Sequence, residues 1–312
     1  MRDALARNRR RIIGVARHPP DEVDFLALDV ADSRAQETRY WRDVLGAELP
    51  PGVSVTSIVN LATKKTGDRA EVERVNVCAV RAMAAIRDAA AQFGGVPWTL
   101  HVGSVSEYRT GGKASAYAAA KRAARAACSE CEIDAVLTVG PVTGRARRTP
   151  HSQALRNALR LFPRLRSGVR IGVTPIAEAA EAIAVLAEHG SVLTGGAADA
   201  ARPFQLALAG RDLSWGSYLE LPDRPGRWFP WEPALWRLLA RLEGTKRPWA
   251  DRLGSIARIA LDPASSHYEL TTDHRGLTAA LLGGAGERLH ADWHVVWRDR
   301  GAGPYLIKHR GQ

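Results

Sequence analysis

Cysteine is scarce, with three in 312 residues, which excludes a fold stapled by disulfides. Cys128 and Cys131 form the one close pair. A lone C-x-x-C lacks the second ligand pair of a structural zinc site, so the pair reads as two thiols one turn apart near a helix end. The histidines, His267, His274, His290 and His294 among them, show no H-x-x-x-H or H-E-x-x-H spacing, and no metal is expected. Long apolar runs are missing too. None approaches the ~20 residues needed to span a bilayer, and the opening MRDALARNRRRIIGV has no secretory apolar core. The expectation is a soluble, cytoplasmic protein. Lysine is also sparse, standing at six positions, so the excess of 44 basic over 33 acidic residues, formally +11, is almost all arginine. The arginines are scattered over the whole length rather than gathered in a stripe, and no nucleic-acid partner is expected.

What is present is ordinary globular material, 46% apolar and 25% charged, in a chain long enough for two domains at ~150 residues each. Through the first 210 residues, short apolar runs alternate with longer helical patterns, the mark of βαβ units and a parallel sheet. Strands are predicted at Arg11 to Ala16, Val23 to Leu28, Val53 to Val59, Trp98 to Val102, Ile133 to Val139 and Ser191 to Leu193. Their cores, such as VSVTSIV and IDAVLTV, are nearly free of charge, as strands covered on both faces should be. Helices are predicted at Ser33 to Leu45, Asp68 to Phe93, Ala114 to Glu130 and Ile176 to Glu188. After Gly210, Pro and Trp crowd in, and seven of the nine tryptophans lie from Trp215 onward. The expected organisation is an α/β, doubly wound parallel-sheet domain over residues 1–210 and a smaller, Trp-rich substrate or lid domain over 211–312.

Ser104, Tyr117 and Lys121 form the pattern richest in chemistry. A Tyr and a Lys four apart share one helix face, with Cβ atoms about 5 to 6 Å apart. An ammonium beside a phenol favours the phenolate, so the Tyr117 pKa is expected below its ordinary ~10, equipping it for proton transfer. Ser104 ends the preceding strand, at the edge where open α/β sheets bind ligands, and its hydroxyl can hold a substrate oxygen. Asn76 sits in the middle of the helix before that strand, where its amide competes for backbone hydrogen bonds.

Asn76, Ser104, Tyr117 and Lys121, at intervals of 28, 13 and 4, resemble the catalytic tetrad of the short-chain dehydrogenase/reductase superfamily. Asn60 and Ala62 in IVNLAT resemble its N-N-A-G segment, from which Leu61 and Thr63 depart. Asp29 and Val30 in LALDVAD resemble its adenine-contacting D-V pair. Gly140, Pro141 and Val142 in TVGPVTG resemble the P-G turn that meets the nicotinamide carboxamide, with Gly and Pro exchanged. The resemblance covers roughly Arg10 to Gly196. It implies Tyr117 as general acid/base, Ser104 as the group orienting the substrate carbonyl or hydroxyl, Lys121 as the ligand of the nicotinamide ribose, and Asn76 as the holder of a proton-relay water.

Two branches compete. TPIAEAAEAIAVLAEHG and SSHYELTTDHRGL resemble the extended branch of epimerases and dehydratases, whereas the Ser-to-Tyr interval of 13 resembles the non-extended branch. The leading expectation is an NADP-dependent oxidoreductase of a small-molecule substrate. A nucleotide-sugar epimerase or dehydratase, and a non-catalytic relative, are the alternatives. Arg17, closing a strand where an acidic residue would bond the ribose 2′-hydroxyl of NAD, suits the 2′-phosphate of NADP, with NAD the alternative. The run from Arg145 to Arg166 holds seven arginines, read as a solvated helix face or as ligands of a diphosphate. The segment WFPWEPALWRLLARL, from Trp228 to Leu242, is read as a core helix or lid, with a membrane surface as the competing partner. A homodimer is compatible with either branch.

The Gly-rich beginning of a doubly wound domain is missing. A helical stretch, Arg2 to Asn8, runs directly into a strand, so the resemblance starts at the family's second strand. The expectation is that Met1 is a mis-called start or a fragment boundary, with a G-x-x-G-x-x-G about 20 residues upstream. Without that first strand, the strands at Arg11 to Ala16 and Val53 to Val59 lose their shared neighbour. They are expected to stay weakly stable or to collapse onto each other, and to bind NADP weakly.

Overall fold

The computed structural model describes residues 12–17, 25–65, 67–108, 116–140, 142–143, 170–194, 203–208, 211–214, 232–242, 245, 247, 250, 253–254, 257, 288–290, 293–296 and 305–308. Strands β3 (Ser57–Asn60), β4 (Trp98–Ser104), β5 (Ala135–Val139) and β8 (Phe204–Leu208) lie side by side and parallel. Between β3 and β4 runs α2 (Arg69–Ala90), between β4 and β5 runs α3 (Ala116–Glu130), and α4 (Ile176–Thr194) precedes β8. Strand residues divide by parity. Trp98, Leu100, Ala135, Leu137 and Val139 pack on Ala179, Ala182, Ile183 and Leu186 of α4. Val136 and Ile58 face Val80 and Met83 of α2 and Ala124 and Cys128 of α3. Both faces are therefore covered, the doubly wound, Rossmann-like arrangement expected from the uninterrupted apolar strands. Each fully buried Leu or Val contributes about 1.5–3 kcal/mol.

Local chemistry sets the element ends. Asp68 caps α2, its side chain accepting the Ala70 N–H at 2.8 Å, with Glu71 in the first turn complementing the helix dipole. After α3 the chain reverses through Glu132 at φ 51, in the left-handed region, and the Ile133 N–H returns to the Cys128 carbonyl at 2.9 Å. Arg87 of α2 covers the exposed Cys131 and Glu132 carbonyls at 2.8 and 2.9 Å. Thr99 and Asp134 then exchange bonds of 2.7 to 2.9 Å, which set the β4–β5 register.

One predicted strand is a helix. Ser191 to Leu193 continues α4 to Thr194, and the next strand is β8. Gly190, just past the predicted helix end at Glu188, is a close-approach position. A Cβ there would lie 2.4 Å from the Trp98 ring. The predicted helix at Ser33 to Leu45 is a 3-10 turn, Ser33–Gln36, followed by α1 (Thr38–Glu48).

The first two strands, β1 (Gly14–Ala16) and β2 (Phe25–Ala27), form their own parallel two-stranded sheet. Neither pairs with β3, so the expected collapse of the Arg11 to Ala16 strand onto the Val53 to Val59 strand does not occur. Each strand keeps its outer neighbour. Val15 and Leu26 pack with Trp41 and Leu45 of α1 and Ala82, Ala85 and Ala89 of α2, and Val55, just before β3, joins the same cluster. Apolar packing through the helices holds the two sheets without a strand-to-strand ladder.

Beyond residue 210, strands join existing sheets. β9 (Arg211–Ser214) pairs antiparallel with β7 (Arg170–Pro175), which pairs parallel with β6 (Val142–Thr143). β10 (Arg288–His290), β11 (Trp293–Val296) and β12 (Tyr305–Lys308) extend the main sheet beyond β8, in the order β10-β11-β12-β8-β5-β4-β3. Within α5 (Glu232–Ala240), Trp236 is buried and Leu238 exposed. Among the described residues no helix is long and apolar enough to cross a membrane. The stretch Arg2 to Asn8 and the arginine run 145–166 lie outside the described residues.

Candidate active site

Parallel β3, β4 and β5 end together, with Ser104 opposite Val139 and Asn60 opposite His101 in register, so their C-terminal ends share one edge of the sheet. Above that edge stands the first turn of α3, which carries Tyr117, and one turn on, Lys121. The Tyr117 hydroxyl stands near the side chains of Ser104 and Thr63. Thr63 in turn donates to Asn76 Oδ1 at 3.0 Å. Because a carbonyl oxygen only accepts, Thr63 is the donor in its bond to Asn76. Ser104 Oγ also lies 3.3 Å from Ser106 Oγ and accepts the Ser106 N–H at 3.3 Å.

Asn76, 1% exposed, has both amide hydrogens engaged, to the Val72 carbonyl at 2.7 Å and the Lys64 carbonyl at 3.0 Å. Its place in mid-helix is explained by that clamp, which holds the loop after β3 against α2. Asn60 works similarly one step earlier, accepting the Ala62 N–H at 2.9 Å and meeting His101 Nδ1 at 3.1 Å.

Lys121 Nζ lies over the Tyr117 ring, 5.9 Å from its centroid, and donates to the Val102 carbonyl at 3.4 Å. This overturns the expected depression of the Tyr117 pKa. Burial pushes the phenol above its ordinary value. The Ser104 and Thr63 hydrogen bonds pull it down, and the Glu107 charge adds to the rise. Lys121, 3% exposed, responds instead: burial lowers it to about 8, with Glu107 opposing and Lys65 assisting. Lys65 Nζ lies 5.8 Å from the Tyr117 centroid, so two ammonium groups flank one ring.

Residue spacing alone missed four members of this neighbourhood. Thr63 stood out as a departure from the resembled motif, and that departure supplies the hydroxyl on Tyr117. Lys65 follows it by two positions. His101, 1% exposed, is held down to about 3 by burial and by the Lys121 charge, and its Nε2 has no hydrogen-bond partner. Glu107 is a buried carboxylate directly behind Ser104.

The remaining predicted residues sit elsewhere. Arg17, after β1, forms an exposed ion pair with Asp29, after β2, at 3.8 Å. Asp29 also accepts the Ala31 N–H at 3.0 Å, and Val30 offers its carbonyl to Gln36 Nε2 at 3.1 Å. Val142 pairs with Thr174 of β7 and packs on the α4 side of the core. Pro141 lies outside the described residues. Among the described residues no group of three His, Cys, Asp or Glu could hold a metal ion, and the three cysteines are free thiols.

No known family model matches the sequence, and no curated protein matches it. Among solved structures, the chain is similar to the Bordetella bronchiseptica enzyme WbmH in complex with NAD+, at 14% identity over 72% of this chain and 79% of that one, with a TM-score of 0.47. It is similar to aldohexose dehydrogenase of Thermoplasma acidophilum, at 15% identity over 72% and 92%, TM-score 0.46. A third is dTDP-4-dehydrorhamnose reductase of Bacillus anthracis in complex with NADP, at 13% identity over 65% and 72%, TM-score 0.40.

Proposed function

We propose that this chain is an NAD(P)-dependent oxidoreductase of the short-chain dehydrogenase/reductase type, acting on a carbonyl or alcohol with Tyr117 as general acid/base. The observation that carries the reading is the hydroxyl cluster of Ser104, Tyr117 and Thr63 at the C-terminal edge of a parallel sheet, with the Lys121 ammonium over the Tyr117 ring. Such an edge is where open α/β sheets take ligands.

The residues present fit a dinucleotide by the chemistry of their donors. Lys121 makes a single long hydrogen bond, to the Val102 carbonyl, which leaves ammonium hydrogens for ribose hydroxyls. Asn60 and Ala62 line the turn leaving β3. Arg17 offers a guanidinium to a 2′-phosphate and its neighbour Asp29 a carboxylate to a 2′-hydroxyl, so both NADP and NAD find a partner. When bound, the nicotinamide supplies or accepts the hydride. In the reducing direction Tyr117 gives its proton to the substrate oxygen, and the Ser104 hydroxyl donates a hydrogen bond to that same oxygen as charge develops on it. The raised Tyr117 pKa keeps the phenol protonated at neutral pH, as an acid requires. Thr63, itself held by Asn76, stands near the Tyr117 oxygen, and the phenolate left after the transfer regains its proton from solvent water.

Replacement of Tyr117 by Phe keeps the ring and removes the acid. With NADPH consumption followed over a panel of carbonyl substrates, Tyr117→Phe should lose ~10²-fold or more in turnover, with cofactor affinity little changed. A variant that keeps most of its turnover would overturn the assignment.

A further inference from the structure

The buried carboxylate of Glu107 is not accounted for by the proton-transfer scheme. Directly after β4, the 3-10 turn Val105–Tyr108 folds back so that Glu107 Oε1 accepts the Ser104 N–H at 2.8 Å. Oε2 reaches Arg125 Nη1 of α3 at 3.4 Å, and Arg122, also of α3, donates to the Glu107 carbonyl at 3.3 Å. One residue thereby joins the strand that carries Ser104 to the helix that carries Tyr117 and Lys121. Gly103 is matched to it, because a Cβ at that position would lie 2.6 Å from Oε1 and 3.2 Å from Val136 Cγ1. The carboxylate fills the volume that a side chain at 103 would take.

A neutral Gln could accept the same N–H, so charge is what the carboxylate adds. The charged and titratable groups that face it are Arg125, Lys121, Tyr117 and Cys128, all on α3. Lys121 additionally faces Lys65 from the loop after β3 and His101 from β4. Among the described residues, every other titratable neighbour of the Lys121 ammonium is neutral or cationic, the Cys128 thiol being kept protonated by its burial.

We propose that Glu107 is a positioning residue for this site. It sets the spacing of Ser104 from Tyr117 through the Ser104 N–H and Arg125, and it supplies the negative charge that the buried Lys121 ammonium faces. The catalytic consequence rests on the oxidoreductase reading above; the electrostatic one does not. Burial pushes the Glu107 carboxyl up, while Arg125, the Ser104 N–H and Lys121 act to keep it ionised. In the other direction Glu107 is the largest influence raising Lys121.

The test needs no substrate. With only six lysines, protein labelled at lysine 13Cε gives a countable NMR spectrum, and Lys121 is identified by the signal lost in Lys121→Arg. In the wild type that signal should titrate near 8. Glu107→Gln should lower its midpoint by a pH unit or more. Glu107→Asp, which keeps the charge, should restore most of the difference. If Glu107→Gln does not fold, Gly103→Ala, whose added methyl displaces the carboxylate, should move the Lys121 midpoint in the same direction. An unmoved Lys121 midpoint in Glu107→Gln, or in Gly103→Ala where Glu107→Gln does not fold, would overturn the proposal. The two readings fail separately. Loss of turnover in Tyr117→Phe together with an unchanged pH–rate profile in Glu107→Gln would defeat the role of Glu107 alone. A shifted Lys121 midpoint in a protein that consumes no NADPH would defeat the oxidoreductase reading alone.

Discussion

His101 shows most sharply what burial does to one residue. Its ring is enclosed between β3 and α3, with Asn60 Nδ2 at 3.1 Å from Nδ1, and it is neutral down to about 3. In the unfolded chain a histidine titrates near 6.5. Between those two values the unfolded state binds a proton that the folded state does not, so stability falls as pH falls through that window, by up to about 1.4 kcal/mol per unit. Urea midpoints measured from pH 7 to pH 4 should drop more steeply for the wild type than for His101→Gln, which has no proton to take up. Parallel slopes would show that acid sensitivity comes from other groups.

For whole elements, close approach outweighs intrinsic propensity. Gly190 lies within α4, where Ala would ordinarily gain about 1 kcal/mol. A Cβ there would meet three atoms of the buried Trp98 ring at 2.4 to 2.6 Å, and that ring is fixed between α4 and the sheet. Overpacking of this kind costs typically ~1–3 kcal/mol. Gly190→Ala should therefore lower the urea midpoint despite the better helix former. A midpoint that rises would mean that Trp98 has room to move. The same helix explains the misplaced strand. The Ser-Val-Leu run after Gly190 is apolar and β-branched in part, but three residues on a helix already packed against Leu100 and Leu137 gain more by continuing the turn than by leaving it.

Across the whole molecule, the position of a strand in the sheet sets its stability. β4 and β5 each have hydrogen-bonded neighbours on both sides, and β3, among the described residues, pairs only with β4. The small β1–β2 sheet is three residues long and is held by apolar contacts with α1 and α2. Amide hydrogen exchange should rank accordingly, slowest in β4 and β5, faster in β3 and fastest in β1 and β2. Protection of β1 equal to that of β5 would indicate that the two sheets open as a single unit.

Patterns that depend on near neighbours were readable from the amino-acid sequence. Strands β3 to β5 follow from short uninterrupted apolar runs and helices α2 and α3 from the longer helical patterns between them, and the pairing of Tyr117 with Lys121 follows from one helical turn. Their placement near Ser104 follows from parallel-sheet geometry, which puts strand ends and helix starts on one edge. Tertiary structure decided the rest, because desolvation and the partner of a hydroxyl depend on residues far apart in the chain. It set the direction of the Tyr117 shift, since burial is the largest influence on the phenol. It also brought Thr63 and Glu107 to Tyr117 and Ser104, gave Gly190 its contact with Trp98, and left β1 and β3 in separate sheets. Each of these is set by what fills the space around a group, and local spacing carries no record of that.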